Sequence, residues 1–203
     1  MITRVEIADS SFNLLEILDK EVIGLTWDYS RIGGCGSFSF DLPREFCNEK
    51  FISGDFNIKI KRRNPSTKAY DLWYQGLVEA KAPNVRASNE TIKVSGHGYQ
   101  AQLSRIYLNN ITYTTTELSL IVTDIINTYV VPNTNISLGT IEATTFTPGT
   151  LNFNTDALSA LQTCADIAGT REWGVDRNRA FFFKARSSTV GFRYPFGSKV
   201  LSF

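Results

Sequence analysis

The chain contains one histidine, and it stands between two glycines in "VSGHGYQAQLSR", Val94 to Arg105. A glycine-framed imidazole is the type of residue that general acid–base or metal chemistry uses. His97 has no second histidine to share a metal, and no carboxylate or thiol lies at a spacing that would complete a ligand set. A hydrolase would need a positioned nucleophile as well, yet there is no G-x-S-x-G elbow and no cysteine in a family context. The plainer expectation is that Gly96 and Gly98 let the backbone turn out at a strand end and that the imidazole is incidental. "GGCG" at Gly33 to Gly36 is the other glycine cluster; neither is followed by G-K-[ST] or sits in a βαβ context, so no phosphate loop is expected.

The three cysteines, Cys35, Cys47 and Cys164, form no C-x-x-C pair and no even set, and are read as reduced, packed thiols. Acidic residues are scattered over turns and outward strand positions, not paired as glycoside hydrolysis requires. No catalytic, cofactor-binding or metal-binding residue is expected, and no cofactor or small-molecule substrate. One binding constellation remains. "IKIKRRNPSTK" followed by "YDLWYQG" sets Lys59, Lys61, Arg62 and Arg63 near Trp73 and Tyr74, the phosphate contacts and stacking faces of an OB-type single-strand binder. Against it, alternating lysines commonly mark a solvated or protected edge, and a net charge of +1 lacks a basic footprint.

These residues must be carried by a chain of 203 residues, enough to bury a core without disulfides. Many aromatics, threonines and asparagines favour strands. The first residues alternate apolar and polar types with no basic region ahead of an apolar block, and no apolar run approaches the ~18 residues of a membrane span, so no membrane partner is expected.

Up to about residue 110 the pattern is a succession of short strands with period two. Thr3 to Ile7 sets it. Phe12 to Leu18, a turn at Asp19 and Lys20, and Val22 to Ser30 read as a hairpin. Glycines 33, 34 and 36 give the following loop its freedom, Phe38 and Phe40 share one face, and Pro43 closes that strand. Ile58 and Ile60 point inward against Lys59 and Lys61, Gly76 suits a bulge, and Ile92 and Val94 point inward. Strands at this spacing predict a small β-barrel.

After residue 110 the period changes. Leu118, Ile121, Val122, Ile125, Ile126 and Tyr129 fall on one helical face, with Thr114 and Glu117 spaced as a capping box and Pro132 as a stop. A second helix is predicted from Asn154 or Thr155 as cap to Gly169 as C′ residue, burying Leu158, Leu161, Cys164, Ala165 and Ala168. "EWGVDRNRAFFFKAR" reads as a hairpin around Asp176 to Arg179. The expected fold class is therefore a β-rich α+β chain: a barrel over 1–110, a small α+β domain with two helices and a hairpin over 111–190, and in 191–203 the start of a further strand or second barrel.

The order of these segments carries a resemblance. "YQGLVE", then "IKVSGHGYQAQLSR", then "TELSLIVTDIINTYV", then "NTDALSALQTCADIAGTREWGVDRNRAFFF" is similar to the N-terminal half of the baseplate hub proteins of tailed bacteriophages and related contractile injection machines. There an x-G-x-V strand leads to V-x-G-x-G-x-x-x-x-L, and an A-L-x-x-L-x-x-x-x-G helix precedes a W-x-V-D-x-x-x-x-x-x-F hairpin. The resemblance implies a non-enzymatic virion protein of the tail tip, assembled in the host bacterial cytoplasm. It would be a homo-oligomeric ring, a trimer in hub proteins, that joins the tail tube to a spike or fibre. Hub chains run on into a second barrel, whereas this one stops at "FGSKVLSF". Either the sequence is a fragment of such a chain, or it is a shorter relative, a distal tail protein forming a hexameric ring from one barrel per chain.

Overall fold

The computed structural model describes residues 3–43, 56–86 and 89–186. Its strands are β1 (Thr3–Ala8), β2 (Leu14–Leu18), β3 (Ile23–Ser30), β4 (Gly33–Pro43), β5 (Asn57–Arg63), β6 (Tyr70–Arg86) and β7 (Asn89–Gly98), followed by β8 (Tyr107–Thr114), β9 (Ser137–Ile141), β10 (Thr150–Asp156), β11 (Arg171–Val175) and β12 (Ala180–Ala185). The helices are α1 (Leu118–Asp124) and α2 (Ala157–Ala168), and a 3-10 turn, Tyr99–Arg105, follows β7.

The first seven strands do not pair as a closed barrel. They form a curled sheet in the order β2-β1-β5-β6-β7-β4, with β3 on the other side of β4, and among the described residues β2 and β3 are left open at its sides. The expected β2–β3 hairpin is also replaced: β2 pairs with β1 and β3 with β4. The reason lies in the turn between β1 and β2. The Asp9 carboxylate accepts hydrogen bonds from the amides of Ser11 and Asn13 at 2.9 and 2.8 Å, an Asx-type turn that brings the chain straight back.

Period two did assign the inward faces of Phe38, Phe40, Ile58, Ile60 and Val94, which are buried in one core with Val5, Ile7 and Tyr74. Ile92, also expected inward, is only partly buried. Gly76 pairs in register with Ile58, and the irregularities of β6 fall on either side of it, at Trp73 against β5 and between Val78 and Ala80 against β7.

A second core gathers on α1 and α2. Leu118, Ile121, Val122, Ile125 and Ile126 are fully buried, with Leu161, Cys164, Trp173, Phe181 and Phe183 against them and Tyr129 partly buried. After Asp124 the helix widens into a π turn, Ile125–Val130, and ends in a 3-10 turn that contains Pro132. The Thr114–Glu117 capping box does not form, because Thr114 is the last residue of β8, paired with Thr150 of β10. Glu117 is itself the cap residue of α1; its carboxylate accepts from the Ser119 hydroxyl and from the amide and hydroxyl of Thr144. Burial opposes its charge, yet these donors hold the carboxyl down at about 2.

Asn154 and Thr155 belong to β10, and the cap of α2 is Asp156, whose side chain accepts from the Ser159 amide at 3.0 Å. Gly169 closes α2 at φ +78°, as its position predicts. β11 and β12 form the expected antiparallel hairpin. The segment 191–203 and Cys47 lie outside the described residues.

One sheet runs through both cores. β7 pairs with β4 from Thr91 to His97; beyond His97 the chain leaves as the 3-10 turn, and β11 takes its place beside β4, parallel, with Gly174 opposite Gly33 and Val175 opposite Gly34. Gly34 is required there twice over: its φ is +80°, and a Cβ would lie 2.0 Å from the Val175 carbonyl oxygen. Other bonds cross the same junction. Arg31 reaches the buried Glu172 at 3.5 Å, the Arg179 guanidinium lies 3.9 Å from the ring centre of Phe12, and the Tyr99 hydroxyl donates to Asn57.

Candidate functional site

His97 lies within β7, and its glycine neighbours have a different task from the one expected. Neither Gly96 nor Gly98 has positive φ. They are small because strands crowd them: a Cβ on Gly96 would meet the Leu77 carbonyl oxygen at 1.9 Å, and one on Gly98 the Cys35 carbonyl oxygen at 2.0 Å. The imidazole is exposed, with Nδ1 2.6 Å from Oε2 of Glu79, whose Oε1 meets Arg105 at 3.4 Å. Thr26, Ser37, Ser39, Ser95 and Lys93 share the shallow surface around it. Ser37 gives its hydroxyl to Asp28 at 2.8 Å, so it is not aligned on His97 as a nucleophile would be. The arrangement is a surface polar network across β6, β7 and the 3-10 turn. Among the described residues no three histidine, cysteine or acidic side chains are grouped to hold a metal.

Cys35 and Cys164 are buried, and burial pushes their thiols up to about 11 and about 12, which leaves them without thiolate reactivity.

The basic and aromatic residues of β5 and β6 separate in the fold. Lys61 pairs with Glu6 at 2.8 Å, and Arg63 donates to the Lys68 carbonyl at 3.3 Å. Lys59 stands opposite Glu6 across the β1–β5 ladder. Tyr74 is fully buried, with its hydroxyl on the Gly36 carbonyl at 2.6 Å, and cannot offer a face to a base. Arg62 and Trp73 do meet. The Arg62 guanidinium lies 4.7 Å from the Trp73 ring centre and 5.7 Å from that of Trp27, a cation held between two indoles.

With Tyr29 and the β11–β12 turn residues Asp176, Arg177 and Asn178, these three side chains line a cleft of about 640 Å³. Trp73 is 43% exposed there. Burial raises the Tyr29 phenol above its ordinary value. Asp176 is engaged locally, since its Oδ1 accepts from the amides of Asn178 and Ala180 at 2.7 and 2.9 Å. The cleft is aromatic with two guanidinium groups, Arg62 and Arg177, and its residues come from β3, β5, β6 and a turn more than a hundred positions away. Trp27, Tyr29 and Arg177 were not foreseen. The alternation in "WDYS" puts Trp27 and Tyr29 on one face, but nothing local links them to residue 177.

The fold defined by these elements is that of phage tail proteins. The chain matches the 43 kDa tail protein of prophage MuSo2 from Shewanella oneidensis with a TM-score of 0.66 over 93% of its own length and 56% of the other, at 15% identity. It matches prophage tail protein gp18 from Listeria monocytogenes with a TM-score of 0.56, at 14% identity, over 91% of this chain and 51% of that one. It is also similar to a chain of the Francisella PdpA–VgrG complex, TM-score 0.55 at 11% identity, over 93% of this chain and 29% of that one. The chain thus spans about half the length of the solved tail proteins. No protein-family model matches it, and no curated protein does. No helix among the described residues is long and apolar enough to cross a membrane.

Proposed function

We propose that this chain is a non-enzymatic structural protein of a phage tail tip or related injection machine, a subunit of the baseplate hub ring between tail tube and distal spike or fibre. The observation that carries this reading is the tail-protein fold extending over nine-tenths of the chain. An exposed sheet with open sides suits it, since such edges need a partner, and His97, paired with Glu79 and lacking an aligned nucleophile, suits a protein without catalysis. In this reading residues 1–110 form the tube-like unit and 111–190 a flanking one, the ring is a trimer, and the protein resides in the virion. Antibody against the purified chain, applied to intact tails in electron microscopy, is expected to label the distal end only. Label along the tube, or none on tails containing the chain, overturns the reading.

A further inference from the structure

Two surfaces of this molecule are complementary in chemistry. The first is β2, "LLEIL", at the open side of the sheet. Leu14, Leu15 and Ile17 are 55, 44 and 41% exposed, so both faces of the strand project from the sheet, and among the described residues its outer ladder is unpaired. Glu16, at its centre, is exposed and has no cation partner among the described residues. The second surface is the cleft lined by Trp27, Arg62, Trp73 and Arg177. Neither guanidinium pairs with a carboxylate among the described residues, and the Arg62 Nε is buried without a hydrogen-bond partner. Tryptophan, tyrosine and arginine are the residues that dominate binding energy where surfaces meet.

We propose that β2 of one copy seats against the Trp27–Arg62–Trp73 cleft of the next copy. Glu16 enters the cleft toward the guanidinium groups, and Leu14, on the same face of the strand, covers an indole, while Leu15 and Ile17 lie on the opposite face. The open ladder of β2 supplies main-chain hydrogen bonds, as strand edges do when they recruit a partner. The occupant is another copy because the same chain carries both halves: an apolar strand with one unpaired acid, and an aromatic cleft with two unpaired cations. Two different patches make a heterologous contact, which propagates head to tail and closes into a ring when the rotation permits. This rests on the ring reading above and names its contact.

The test uses the full chain in sedimentation velocity. Wild type is expected to assemble into closed oligomers. Glu16→Lys and Arg177→Glu, both at exposed positions, are each expected to weaken self-association by at least about tenfold with unchanged melting temperature. Trp73→Ala is expected to weaken it as well. The decisive sample is an equal mixture of Glu16→Lys and Trp73→Ala, whose free ends set the introduced lysine against Arg62 and Arg177 and repel. One variant retains the cleft and the other retains β2, so the mixture is expected to form a one-to-one dimer that cannot grow. A monomeric wild type, a mixture that stays monomeric, or variants that assemble like wild type each overturn the proposal. In the last case rings still form through another surface and the hub reading stands; a mixture that dimerises while distal label is absent from tails overturns the hub reading and leaves this contact.

Discussion

The two cores are closed in different ways. Around α1 and α2 the apolar side chains are covered by helix, turn and strand together, and Leu118, Ile121, Val122, Ile125, Ile126 and Leu161 have no exposure. The curled sheet buries an equally apolar interior, yet its bounding strands remain open: β2 is exposed at four of five positions, and β3 carries Ile23 and Tyr29 more than half exposed. Helices close a layer because one apolar stripe is enough to seat them, whereas a sheet has two faces and two edges to cover. The helices cover the second core, whereas among the described residues β2 and β3 leave the curled sheet open at its sides.

This contrast can be broken by substitution. The largest effect is expected at the junction that both regions share: Gly34→Ala drives a Cβ into the Val175 carbonyl at positive φ and should lower stability by about 3 kcal/mol or more in denaturant unfolding. Next, Leu161→Ala opens a cavity in the closed core and should cost about 3 kcal/mol, while Leu15→Ala on the open strand should stay within about 0.5 kcal/mol. Equal costs for these two would erase the distinction.

Glu117→Ala should cost about 1 kcal/mol, through the lost hydrogen bonds from the Ser119 hydroxyl and from Thr144. The folded carboxyl lies lower than in the unfolded chain, so its contribution is whole above the ordinary carboxylate value of 4.5 and is lost as pH falls toward about 2. Acid titration of wild type against Glu117→Gln should therefore converge in that window. The smallest signal is a null one: Cys35 and Cys164 should resist thiol reagents at neutral pH until the protein unfolds.

What was legible in the chain follows the range of the physics. The face of α1 could be read from spacing alone, because a 3.6-residue period is set by neighbours in sequence. The inward set Phe38, Phe40, Ile58 and Ile60 was readable for the same reason. Period two names a strand's buried face and is silent about its partner, so the β2–β3 hairpin and the closed barrel both failed on pairing. The two caps failed by one to three residues, where β8 and β10 ran further than their patterns. Trp73 and Tyr74 were read as one stacking pair, but neighbours on a strand face opposite sides, and only Trp73 reaches the cleft. Arg177 arrives there through the β11–β4 pairing, which no local pattern encodes.

That pairing also sets an order of events. Gly33 and Gly34 are made early on the ribosome, and the strand that takes up the place beyond His97 is synthesised long after the curled sheet has emerged. Until then the start of β4 stays open on that side, and the contact that ends the wait is among the most distant in the chain, the kind whose loop entropy slows folding. Nascent chains halted before residue 171 should thus keep a sticky strand end that finished molecules have hidden, making synthesis the stage at which this protein is most exposed to misassembly.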